Sequence, residues 1–218
     1  SAFIFAPLYR IFGVGSTRTI RKGKHYPMKR HFPLILSLRN IKHIHRTFVF
    51  TNSCLYDFDD NDEYDKNKLF GISFTMFPRI RTNKWVKQKH KDNSIVMVWF
   101  KLLGLSVIKP HHWSSARFCW NTVNKHGKVD IYPYIYDEGI RVTLPLMGIC
   151  ELNLPHKFRI EIINGTVMFT MTGGVGENLT TTHFIGDTGI FYYFLDLYFG
   201  GNKTAPHAIK IEEIEEVS

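Results

Sequence analysis

From Thr47 onward the chain is a succession of short runs rich in β-branched and aromatic residues, each closed by Gly, Asn, Asp or Pro. No stretch keeps the apolar spacing of an amphipathic helix for more than about two turns. That punctuation argues against alternating strands and long helices, on which parallel sheets depend, and predicts an all-β antiparallel fold. The strand-like runs are 47–50, 70–77, 94–103, 116–121, 129–136, 140–146, 149–152, 157–163, 166–172, 190–198 and 208–214. They suffice for two packed sheets, a two-sheet β-sandwich of jelly-roll type. With 44% hydrophobic and 15% aromatic residues in a chain of 218, there is enough apolar surface to build one large core.

Strand alternation says which side chains meet. In 129–136, Asp130, Tyr132, Tyr134 and Tyr136 share one face while Val129, Ile131 and Ile135 share the other. In 157–163, Phe158, Ile160 and Ile162 oppose Lys157, Arg159 and Glu161. At the end of the chain Ile209, Ile211 and the apolar side of Ile214 are expected to close the core, with Lys210, Glu212 and Glu213 facing water. Asn164-Gly165 between two apolar runs is a type I′ hairpin signal, and Asp137-Glu138-Gly139 marks a second tight connection.

Residues 1–46 read differently. Pro7, Gly13, Gly15, Gly23, Pro27 and Pro33 break the segment, and only 34–38 looks strand-like. The reading is an extended arm over 1–46 followed by a sandwich domain over 47–218. Ten Lys or Arg and no Asp or Glu fall between Ser1 and Phe50, whereas Glu212, Glu213, Glu215 and Glu216 make the other end acidic. Such segregation within a net charge of +9 suits an arm that seeks an acidic partner. Phe3, Phe5, Leu8, Tyr9, Arg10 and Phe12 are the candidate docking residues on a neighbouring subunit, and Lys and Arg within 10–46 are candidates for nucleic-acid contacts.

Three cysteines, Cys54, Cys119 and Cys150, show neither paired nor metal-ligand spacing and read as free thiols of a reducing compartment, with Cys119 packed in the core. No apolar run approaches the ~20 residues of a membrane helix. Sequons at Asn164, Asn178 and Asn202 are short patterns that chance supplies readily.

Chemistry-bearing motifs are sparse. The acidic stretch 57–65 offers Asp57, Asp59 and Asn61 as calcium ligands, but as an EF-hand it has Asp62 where the turn needs Gly and Lys68 where a bidentate Glu belongs. His43 and His45 would share a strand face without a further ligand nearby, so no metal site and no cofactor is assigned. There is no nucleophile elbow, and carboxylates on strands are scattered singly. What remains is an aromatic and basic platform, Arg117, Trp120, Tyr132, Tyr134, Tyr136, Arg141 and Tyr192 with Tyr193 and Tyr198, on which sugar rings would stack against tyrosines with guanidinium donors beside them.

The segment from Tyr198 to His207, followed by the alternating run 208–214, resembles the closing strands of concanavalin-like jelly rolls, the architecture of many lectins and some polysaccharide lyases. Together with Asn67-Lys68-Leu69-Phe70-Gly71 and 115–120, it also resembles small bacteriophage-encoded β-sandwich proteins of unassigned role. Lyases of that architecture carry a Gln-x-His strand and a Tyr-Phe-Lys-Ala-Gly-like strand. This chain has Tyr198-Phe199-Gly200-Gly201 and no Gln-x-His, so no catalytic residue carries over.

The first expectation is therefore a non-enzymatic structural protein of an assembly, a phage virion component such as an auxiliary capsid or head-tail protein, docked through its arm. The second is a glycan-binding module or polysaccharide lyase using the Tyr/Arg platform. The third is a nucleic-acid or ribonucleoprotein subunit using the basic arm.

Overall fold

The computed structural model describes residues 15–28, 35–37, 43–58, 64–75, 79–82, 105–124, 126–172, 178–186 and 191–214. In chain order their strands are β1 (Gly15–Ile20), β2 (Ile35–Ser37), β3 (His43–Phe50), β4 (Asn67–Ser73), β5 (Arg79–Thr82), β6 (Leu105–Ile108), β7 (Ser115–Asn121) and β8 (Val129–Asp137). There follow β9 (Ile140–Thr143), β10 (Gly148–Cys150), β11 (Pro155–Ile163), β12 (Thr166–Thr172), β13 (Asn178–Phe184), β14 (Phe191–Leu195) and β15 (Ile209–Ile214). The single α-helix among the described residues, α1 (Pro110–Trp113), is one turn long and starts on Pro110, whose fixed φ suits a first helical position.

Two antiparallel sheets form the sandwich. One runs β1-β15-β3-β11-β12-β13, the other β10-β8-β7-β4-β14-β2, with β9 pairing with β8 beyond the end of β10. β5 and β6 pair antiparallel as a separate two-stranded sheet. The turns agree with their residues: Asn164 and Gly165 both have positive φ, as do Glu138 and Gly139, so the β11–β12 and β8–β9 hairpins close with the twist that I′ geometry favours.

Alternate residues of both sheets fill the space between them. Phe118 of β7 stacks on Phe70 of β4 and meets Phe158 and Phe169 of the facing sheet edge-on, at centroid distances of 5.1 and 5.2 Å. Phe50 packs edge-on against Trp120, and Phe48 lies against Phe70. Ring edges placed on ring faces add about 0.5–1.5 kcal/mol per pair beyond simple burial.

The structure departs from the sequence reading in the early strands and at Glu213. β1 and β2 lie within residues 1–46 yet belong to the two sheets: β1 pairs along its length with β15, and β2 pairs with β14. The docking residues Phe3, Phe5, Leu8, Tyr9, Arg10 and Phe12, and the run 94–103, lie outside the described residues. Glu213 does not face water. It shares the inward face of β15 with Ile209 and Ile211, is buried, and accepts from Arg18 of β1 and Arg46 of β3. A buried carboxylate between two guanidiniums is satisfied where a lone one would be expelled. Arg18 also donates to the carboxylate of Asp196, just after β14. This ion cluster and the apolar residues Ile44, Phe48, Leu69 and Phe194 line a cavity of about 220 Å³ at one end of the core.

Candidate functional site

The face of the seven-stranded sheet that points away from the core is built as a series of cross-strand rows. The first reads Tyr193 (β14), Ser73 (β4), Ser115 (β7), Tyr136 (β8) and Arg141 (β9). The second reads Leu195, Gly71, Arg117, Tyr134 and Thr143 in the same strand order, and the third brings together Lys68, Cys119 and Tyr132. Period-two alternation thus gathers Tyr132, Tyr134, Tyr136, Arg117 and Arg141 on one surface.

Trp120 and Tyr192 fall out of phase with the other residues named for this platform. Trp120 points into the core and is fully buried. Tyr192 lies in β14 opposite Leu36, but its side chain is outside the described residues; its neighbour Tyr193 is the one whose contacts belong to this surface. Cys119 is fully buried, though not in the core cluster: it lies on the outer face between Lys68 and Tyr132. Burial pushes its thiol up to about 11, against the pull of Lys68, Arg117 and Lys66, so it is a packed thiol and not a nucleophile.

Arg117 occupies the middle of the face. Gly71, its neighbour on β4, leaves room for the side chain: a Cβ there would collide with the carbonyl of Ala116 and with Cγ of Arg117. Over that gap Arg117 Nη2 reaches the main-chain carbonyl of Asp196 at 2.6 Å, while its Nε is buried and has no hydrogen-bond partner. The Asp196 carboxylate is engaged by Arg18 and by the Leu197 N–H, and it acts on Arg117 through its charge. Desolvation is the main influence on this guanidinium and lowers its pKa.

Lys68 repeats the pattern. Its Nζ donates to the carbonyls of Lys66 and Gly200 and lies 5.5 Å from the ring of Tyr134 and 5.6 Å from that of Tyr198. Burial lowers its pKa as well. Lys66 Nζ stands 3.4 Å above the ring of Tyr132, again with a lowered pKa led by desolvation. Sequence reasoning passed over both lysines because it began the strand at Phe70; a β-bulge between Lys68 and Phe70 interrupts the alternation that would have revealed them.

One end of the face is closed by α1. His111 Nδ1 lies 2.9 Å from the hydroxyl of Tyr193, and the His112 ring tilts over Tyr136. Burial, reinforced by His112, Arg117 and Lys109, pulls His111 down to about 3, so its imidazole is neutral at ordinary pH. Tyr134 is 6% exposed, donates to the Tyr136 hydroxyl, and has its pKa raised by burial, so its phenol stays protonated. Near Lys68, Tyr198 stacks on His25 with the rings 4° from parallel.

The other candidates are dispersed. His43 and His45 do share an exposed strand face, with ring centroids 5.8 Å apart, yet no cluster of three or more His, Cys, Asp or Glu able to hold a metal occurs among the described residues. Of the calcium candidates, Asp59 and Asn61 lie outside the described residues and Asp57 is exposed. No helix among the described residues is long and apolar enough to cross a membrane.

Chemically, this face offers cations held by carbonyl oxygens and ring faces instead of carboxylates, with protonated phenols and a neutral imidazole beside them. The charges of Asp130, Asp65 and Asp196 act on Lys66, Lys68 and Arg117 respectively, without an ion pair to any of the three among the described residues. Cations and aromatic faces in this arrangement are chemically suited to an anion and to flat rings.

No model of a known protein family matches the chain, and no curated protein matches it. Among solved structures, the alginate lyase from Klebsiella pneumoniae aligns at 8% identity over 78% of this chain and 56% of its own length, with a TM-score of 0.49. A functionally unknown protein from Saccharomyces cerevisiae aligns at 10% identity over 94% of this chain and 86% of its own, with a TM-score of 0.45. The CBM2 module of an evolved Dit from Lactobacillus casei BL23 phage J-1 aligns at 8% identity over 94% and 70%, with a TM-score of 0.35. The chain therefore spans little more than half of the lyase, and none of these likenesses bears on what it binds; it is the strand pairing that identifies the chain as an antiparallel β-sandwich.

Proposed function

We propose that the outer face of the seven-stranded sheet binds an acidic glycan, with Arg117 and Lys68 receiving its carboxylate groups and Tyr132, Tyr134, Tyr136 and Tyr193 lying beside its rings. The observation that carries this reading is the pair of desolvated cations, Arg117 and Lys68, whose hydrogen bonds go to main-chain carbonyls and not to a carboxylate. Withdrawing a guanidinium or ammonium from water while giving it only carbonyls costs stability, and a fold keeps such groups where an incoming anion completes them. Basic groups at Lys66, Lys68, Arg117 and Arg141 run across three adjacent rows, so a polymer with repeated charge fits better than a single small anion.

The test is a binding panel of polyuronates, sulfated polysaccharides, neutral glucans and single-stranded DNA at several salt concentrations. Polyuronates bind, more weakly as salt rises, and neutral glucans do not. Equal binding of neutral and acidic glycans contradicts the reading, and preference for DNA transfers the basic surface to nucleic acid.

The neutral His111 imidazole, hydrogen-bonding with Tyr193 next to these cations, favours a second reading in which the bound uronate undergoes β-elimination. His111 would accept the proton beside a carboxylate neutralised by Arg117, and a tyrosine hydroxyl would protonate the leaving oxygen. The same polyuronates, assayed for ultraviolet absorbance of unsaturated ends, distinguish binding alone from cleavage.

A further inference from the structure

The edge strand β13 stands apart from the other edges of the two large sheets among the described residues. β2 and β10 are three residues long, β9 is four and carries Arg141, and the outer side of β1 is bridged by Pro27 with the Met28 N–H on the Thr19 carbonyl. Short length, charge and a covering segment are the usual protections of an edge. Among the described residues, β13 has none of them. Its seven residues, Asn178-Leu179-Thr180-Thr181-Thr182-His183-Phe184, pair with β12 in unbroken register, and none of them is buried. Neither β12 nor β13 contains Lys, Arg, Asp, Glu, Pro or Gly.

We infer that β13 pairs antiparallel with β13 of a second copy of this chain, about a two-fold axis at Thr181, joining the two six-stranded sheets edge to edge. The charge pattern selects the partner. Each copy carries +9, so contact through most surfaces is opposed, whereas the last two strands of this sheet bear no formal charge. The sequence is self-complementary about that axis: Thr181 meets its own counterpart, Thr180 meets Thr182, and Asn178 meets Phe184. Side-chain hydrogen bonds already couple β12 to β13, between Thr170 and Thr180 and from Thr172 to Asn178, and the two-fold continues that ladder across the junction. At either end Phe184, 66% exposed, would cover the other copy's Thr172–Asn178 pair, withdrawing apolar surface that the single chain leaves in water.

The test is sedimentation velocity of the full chain over a wide concentration range, with two kinds of variant. The wild type is expected to show a monomer–dimer equilibrium. Thr180→Lys combined with Thr182→Lys faces like charges across the axis and weakens the dimer at least about a hundredfold, with the circular dichroism of the monomer unchanged. Under mild oxidation Thr181→Cys gives a disulfide-linked dimer, because antiparallel neighbours stand about 4.5–5.5 Å apart, within disulfide reach. Met28→Cys, exposed elsewhere, gives none. A chain that stays monomeric throughout, or a dimer that neither responds to the lysines nor links at Thr181→Cys, overturns the inference.

Discussion

Arg117 shows how one side chain can weigh against the fold and still be retained. Its unpartnered Nε forgoes a hydrogen bond at a cost of about 1–3 kcal/mol. Arg117→Met, which keeps the length and removes the charge, is expected to leave stability unchanged or raise it by about 1 kcal/mol in urea unfolding while acidic-glycan binding is lost. A large loss of stability would mean that the guanidinium serves the fold. His111 gives a second residue-level expectation. Its folded pKa of about 3 lies below the 6.5 of a free histidine, so between those values the unfolded chain binds the extra proton. Stability attributable to this residue is therefore whole above about pH 6.5 and declines as pH falls towards 3, on the order of 1–2 kcal/mol by pH 5. His156, lowered mainly by burial, acts in the same direction. Urea midpoints at a series of pH values should fall less steeply for His111→Gln than for wild type; identical slopes would show that His111 protonates freely in the folded state.

At the level of elements, legibility followed the apolar period. The run 166–172 coincides with β12, and the tyrosine ladder of β8 lies on the face that alternation assigned to it. β13 went unread because Asn178-Leu179-Thr180-Thr181-Thr182-His183-Phe184 has no apolar alternation, as befits a strand that buries none of its residues. β1 and the end of β15 were misread because their inward positions include Arg18 and Glu213, and polarity is taken to mean exposure unless the partner strand is known. Trp120 was placed on the platform against its own alternation, since an aromatic on the same strand as Arg117 looked like part of one surface. Gly71 supplies the test at this scale. Gly71→Ala is expected to destabilise by about 1–3 kcal/mol, because the new methyl meets backbone on one side and Arg117 on the other. It should also weaken glycan binding by displacing Arg117, measured on the same preparation; normal affinity would place the anion elsewhere on the face.

For the whole molecule, the sandwich separates two tasks. The aromatic space between the sheets provides cohesion: Phe118→Ala, removing a ring in contact with Phe70, Phe158 and Phe169, should cost about 3–5 kcal/mol in urea unfolding without altering ligand preference. The outer face of the seven-stranded sheet is free to carry charge because that cohesion lies behind it. The edge of the opposite sheet, on β13, is left for association. The ion cluster of Arg18, Arg46, Asp196 and Glu213 links β1, β3 and β15 of one sheet to Arg117 on the face of the other, since Asp196 accepts Arg18 with its carboxylate and Arg117 with its main-chain carbonyl. The most direct measurement of this division of labour is calorimetric titration of polygalacturonate and a neutral glucan into the wild type and Arg117→Met. Heat of binding for the acidic polymer alone, reduced at least about tenfold in affinity by Arg117→Met, is the predicted result. Undiminished affinity in Arg117→Met, or no binding of any acidic glycan by the wild type, would contradict it.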